Sequence, residues 1–124
     1  MDIPSKIRIG GVDYAVERLE RPTREGQEVF GDIDFYTAAI RLNDDVPVQL
    51  REETLIHELL HGIVHHYNVP IKEDDEEMII EALAKGLHQV LSDAWGLFSW
   101  EVIEAACKED FYQTEDEQYE VVPC

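Results

Sequence analysis

The chain has 124 residues, 44% of them hydrophobic, and carries 10 Lys and Arg against 28 Asp and Glu, a net charge of -18. That size and composition suit one compact domain with its own core and exclude a chain disordered throughout. A field so negative repels phosphate backbones and makes nucleic acid a poor partner, while it attracts cations.

No apolar run approaches the length of a membrane span, and the first residues, MDIPSK, lack the apolar core of a secretion signal. The expectation is a cytoplasmic protein with no membrane partner. Cys107 and Cys124 come without a Cys-x-x-Cys pattern. They are expected to be two reduced thiols, neither a disulfide framework nor a thiolate metal site.

In chain order, Ile7 and Ile9 alternate with polar neighbours, Gly10-Gly11 signals a two-residue turn, and Val12, Tyr14 and Val16 alternate again. Residues 6–19 therefore predict a β-hairpin. Residues 20–28 are polar with Pro and Gly and predict a loop. Between Val29 and Asn43, Ile33 and Phe35 and then Ile40 and Leu42 alternate around a turn near Thr37-Ala38, a second strand pair. Asp44, Asp45 and Pro47 suit a helix start. From about Val48 to Tyr67, Leu55, Leu59 and Ile63 form one apolar row and Ile56, Leu60 and Val64 another, which predicts a helix ended by Asn68-Val69-Pro70. A second helix fits about Asp75 to Asp93, with Asp74 as cap, Glu77 as its capping-box partner, and a stripe of Ile79, Ile80, Leu83, Leu87, Val90 and Leu91. A third, shorter helix after Ser99 would turn Trp100, Val102, Ile103 and Ala106 inward. Strands first and helices after them make one α+β domain, with a small antiparallel or mixed sheet against two to three helices. Its parts are residues 1–46, mainly strands, 47–108, helices, and 109–124, an acidic tail.

The chemistry concentrates in His57-Glu58-Leu59-Leu60-His61, an H-E-x-x-H sequence inside the first long helix. Residues four apart on a helix are neighbours on one face, so two imidazoles there can both donate nitrogen to one Zn²⁺. Glu58, at the edge of that face, is the candidate general base acting on a water rather than a ligand. The alternative is a pair of partly buried histidines on an ordinary helix. Zinc enzymes usually have three protein ligands. The candidate third is Glu81, because a carboxylate in the apolar stretch IIEALA is costly to bury unless paired or metal-bound. Its alternative is to face water or to pair with Lys85, four residues on. His65 continues the His57 and His61 face as a competing ligand or supporting residue, and His66 is expected to be exposed. His88, seven residues after Glu81, is the candidate to look into the cleft and steady an oxyanion. Tyr36 and Tyr67 are further candidates for that task, or packing residues.

This motif with a downstream helical Glu resembles the gluzincin metallopeptidases. The small size and the stretches TLIHELLHGIVHHY and EEMIIEALAKGL look more like the ImmA/IrrE-type peptidases and the minimal phage or prophage proteins related to them, over about residues 29–92. The resemblance implies a minimal zincin-like fold and a zinc cofactor on His57, His61 and Glu81. It further implies hydrolysis of an intracellular protein or peptide with Glu58 as base, and an edge strand, for which Ala39–Asn43 is the candidate, that holds substrate as an added strand. Residue 60 is Leu where those proteins often have Gly, no transition-state His or Tyr follows from the motif, and a specificity subdomain is missing. The alternative function is a zinc module that no longer cleaves and serves in binding or regulation. A DNA-associated SprT-like protease is disfavoured by the charge, and an acidic interaction protein without metal is the remaining alternative.

Overall fold

The structure is a computed structural model that describes residues 3–95. The third helix expected after Ser99, the acidic tail and both cysteines lie outside the described residues. One compact unit, Ile3–His88, contains the sheets and the site; of the second unit, residues 1–2 and 89–124, only 89–95 are described, the last turns of a helix.

The hairpin forms as its alternation predicts. Strand β1 (Lys6–Ile9) pairs antiparallel with β2 (Val12–Leu19). Gly10 and Gly11 take φ of 60° and 82°, the left-handed pair that a two-residue hairpin turn needs and that glycine adopts at no steric cost. Residues 20–28, expected as plain loop, carry a two-residue ladder, β3 (Thr23–Arg24) against β4 (Gln27–Glu28). Two strands this short leave no periodicity to read. Strands β5 (Gly31–Asp34) and β6 (Ala39–Asn43) make the second antiparallel pair. Its turn is closed by Asp34, whose Oδ1 accepts from the N–H groups of Tyr36 (2.9 Å) and Thr37 (3.3 Å).

The four-stranded sheet has the order β1-β2-β6-β5. It is mixed, because β6 runs parallel to β2, with Ala15 opposite Ala39 and Leu19 opposite Asn43. This corrects the expected edge strand. Ala39–Asn43 is interior, paired on both sides, and β5 is the sheet edge on that flank. Period-two alternation marks a strand but says nothing about which strand lies beside it, and the parallel pairing joins segments more than twenty residues apart.

Helix α1 spans Val48–Tyr67 and α2 spans Glu73–Trp95. Pro47 occupies the cap position of α1 and makes no capping bond. Asp44, expected to help start the helix, instead pairs with Arg18 (2.8 Å) and Arg51 (3.2 Å). Asn68 closes α1 in the left-handed conformation, a residue type that tolerates it. In α2, Asp74 falls inside the first turn rather than at the cap. Glu73, Asp74, Asp75 and Glu76 there complement the positive end of the helix dipole, and Glu77 is released from the capping box. Among the described residues no helix is long and apolar enough to cross a membrane.

The core lies between α1 and the sheet: Ile9, Tyr14, Val16, Ile33, Ile40, Leu42 and Leu55 are buried together. Among the described side chains of α2, Ile80 and Ala84 join the buried set, while Leu83 stays 50% exposed. Two glycines permit the close approach of α1. A Cβ on Gly62 would meet Ile9 Cδ1 at 2.8 Å, and one on Gly31 would meet the Arg41 carbonyl oxygen at 2.6 Å and Thr54 Cγ2 at 2.7 Å. Backbone cannot yield as a side-chain tip can. Gly31→Ala is therefore expected to cost about 1–3 kcal/mol by overpacking, measured as a lower urea midpoint at unchanged slope.

Candidate metal centre

Helix α1 presents His57 and His61 one turn apart, with ring centroids 4.9 Å from each other. Helix α2 answers with three carboxylates. His57 Nε2 lies 3.0 Å from Glu77 Oε2, and His61 Nε2 lies 2.9 Å from Glu77 Oε1. One carboxylate thus faces the same nitrogen of both rings. The opposite nitrogens have separate partners: His61 Nδ1 is 2.7 Å from Glu76 Oε2, and His57 Nδ1 is 3.3 Å from Glu81 Oε1. Both imidazoles are largely buried, whereas Glu77 and Glu81 reach in from the more exposed helix.

Glu58 is 7% exposed. Burial pushes its carboxyl up to about 7; the nearby His61 opposes this, and Glu77 and Asp32 add to it. Burial works against a charged His61 ring, but its bonds to Glu76 and Glu77 and the charge of Glu58 outweigh that, and its pKa is raised. Asp32, buried on β5, is held by Arg41 directly across on β6, whose Nε donates to Oδ1 at 2.8 Å and whose Nη2 donates to Oδ2.

The groove beside these groups is about 630 Å³ and is lined by Phe30, Gly31, Asp32 and Ile33 from β5 and its approach, His57, Glu58 and His61 from α1, and Glu77, Glu81 and Lys85 from α2, among others. That volume is in the range of small-ligand pockets. It is an open cleft with the expected base and both expected imidazoles on one wall.

Of the residues expected from sequence, His57, Glu58, His61 and Glu81 come together. Glu81 reaches His57 and, through Oε2, Lys85 at 2.9 Å, so the pairing with Lys85 that was the alternative does occur. Glu77, read from the sequence only as a capping partner, is the carboxylate that meets both imidazoles. Among the described residues, His57, His61 and Glu77 form the group whose donor atoms lie within 4.8 Å of one another. The signal for Glu77 was available: like Glu81 it sits at helical spacing on one face, four residues earlier. His88 does not line the cleft. It lies against buried Glu52, Nε2 to Oε1 3.0 Å. His65 stacks on Phe35 with centroids 3.9 Å apart, and His66 Nε2 meets the hydroxyl of fully buried Tyr14 at 2.6 Å. Tyr36, at 99% exposed, and Tyr67 are surface residues.

The donor set fits zinc by its chemistry. Two imidazoles, which are borderline donors, and one carboxylate are among the three-ligand sets that hold zinc, and both rings turn the same nitrogen to the Glu77 carboxylate. Fold and site together define a class: an α+β domain whose first helix presents an H-E-x-x-H pair of imidazoles to the carboxylates of the second. Beyond that class, scans against protein-family models, curated proteins and solved structures each return no match.

Proposed function

We propose that this chain is a zinc-dependent metallopeptidase of the H-E-x-x-H type, which holds the ion with His57, His61 and a carboxylate of α2 and uses Glu58 as general base. The observation that carries the reading is the buried Glu58 beside two imidazoles whose Nε2 atoms both face the one carboxylate of Glu77. The likeness of the motif and its helices to gluzincins and ImmA/IrrE-type peptidases supports it.

Zinc, when bound, supplies a Lewis acid that brings the pKa of a coordinated water down to about 7 and polarises a carbonyl. The protein's own part is proton handling and orientation. A carboxyl held at about 7 by burial takes a proton from water and returns it to a leaving amine near neutral pH, where a base works best. A peptide has a backbone to lie on. The Asn43 N–H donates to the Phe30 carbonyl at 2.8 Å, and bonded pairs alternate along an antiparallel ladder. The N–H and C=O of Gly31 and Ile33 therefore face outward at the β5 edge, which no described strand covers. Strand addition there would lay an extended segment along the β5 side of the cleft that Glu58 also lines. The substrate class is accordingly a protein or peptide with an extended segment.

The test is zinc analysis of the purified chain beside cleavage of a quenched-peptide library. The expected result is one zinc per chain and hydrolysis that stops with a chelator and returns with zinc. Absence of stoichiometric zinc would end the reading.

A further inference from the structure

We infer that Glu77 completes the donor set with His57 and His61, and that Glu81 and Glu76 are positioning residues that hold the two rings through their Nδ1 atoms. The inference rests on the zinc reading above and assigns different tasks to three carboxylates of one helix.

A ligating imidazole is neutral and keeps one N–H, which needs an acceptor on the side away from the ion. Both rings meet this requirement in the same sense. His61 Nδ1 lies 2.7 Å from Glu76, His57 Nδ1 lies 3.3 Å from Glu81, and both Nε2 atoms turn to Glu77 at 2.9 and 3.0 Å. Glu81 faces only the Nδ1 side of His57. To ligate beside His61 Nε2 it would have to leave that contact and strip His57 of its acceptor.

Glu81 is also anchored. Its Oε2 lies 2.9 Å from Lys85 Nζ, and the same ammonium lies 2.9 Å from Glu53 Oε2 on α1. The Lys85 hydrogen bond, foremost, holds the Glu81 carboxyl below its ordinary range. These groups are half exposed, so the bridge adds little to stability. Its effect is orientation: one oxygen is tied to Lys85 and the other to His57. Among the described residues Glu77 has no such tether, and both of its oxygens point at imidazoles.

The experiment uses the full chain and measures zinc affinity by competition with a chromophoric chelator. The visible spectrum of the cobalt-substituted protein is recorded alongside. Glu77→Gln is expected to retain no stoichiometric zinc after dialysis. Glu81→Gln and Glu76→Gln are expected to keep one zinc and the wild-type cobalt spectrum, with affinity lowered about 10- to 100-fold, the usual effect of losing an outer partner. Circular dichroism of each metal-free variant separates loss of ligand from loss of fold. Lys85→Met, which frees Glu81 without touching an imidazole, is expected to lower affinity while the cobalt spectrum stays fixed. Loss of zinc in Glu81→Gln with retention in Glu77→Gln overturns the assignment, as does equal loss in both, while the metallopeptidase reading stands. A wild-type chain that binds no zinc sinks that reading itself.

Discussion

Glu58→Gln is expected to leave bound zinc unchanged and to lower peptide hydrolysis by about 100- to 10,000-fold, the contribution of a positioned general base. Gln is isosteric and accepts hydrogen bonds but takes up no proton. The side chain is buried and lines the cleft, while the Nε2 atoms of both imidazoles face Glu77, so its substitution touches proton transfer and spares the donor set. Zinc content and rate, measured on the same sample, check this. An unchanged rate with full zinc would remove Glu58 from the mechanism, and an unchanged biological effect without cleavage would favour a non-cleaving zinc module.

The same substitution has a consequence in the metal-stripped protein. The folded pKa of Glu58 is about 7 against 4.5 for the free group. Between those values the native state binds more protons than the unfolded chain, so this group's contribution makes stability fall as pH rises from about 5 to 7. His61 adds the same sign: its pKa is raised in the fold, and the stability it contributes is present at low pH and lost as pH rises through that value. Glu58→Gln is expected to raise the stability of the chelated protein at pH 8 by up to about 3 kcal/mol, from about 1.4 kcal/mol per pH unit. The gain should vanish near pH 4. Urea melts at the two pH values in the presence of chelator read the difference, and equal melts for mutant and wild type at pH 8 would contradict the burial argument.

The second large effect falls on the imidazoles. His57→Ala and His61→Ala are each expected to abolish stoichiometric zinc, because two remaining donors are one short of the usual set. An ion that binds only the folded chain stabilises it by mass action, about 4 kcal/mol at a free concentration 1,000 times Kd. For a unit of this size that is a rise in Tm on the order of 10 °C or more. Thermal melts with and without zinc should show that rise in the wild type and none in either variant. A variant that still melts higher with zinc would show that its histidine is not a ligand.

Much of this protein is written in local pattern. The 3.6-residue period of Leu55, Leu59 and their neighbours marks α1, and Val48–Tyr67 is where the helix lies. A helix places residues four apart on one face whatever surrounds it, so the pairing of His57 with His61 needs no tertiary information. The same holds for the Gly10-Gly11 turn, which only a left-handed backbone makes, and for the α+β class, which follows from strands preceding helices. What the period leaves open is everything that depends on the phase and neighbours of an element. Glu77 and Glu81 are equivalent on a helical wheel; the crossing of α2 over α1 sets one between the two Nε2 atoms and the other behind His57. His88 is set by the same packing against buried Glu52 rather than the cleft. The parallel pairing of β2 with β6 likewise puts Ala39–Asn43 inside the sheet and leaves β5 at its edge. Local spacing decided which residue types stand together on one helix, and the packing of elements distant in the chain decided which of them meet, because a side chain's partners are chosen by three-dimensional proximity and not by sequence separation.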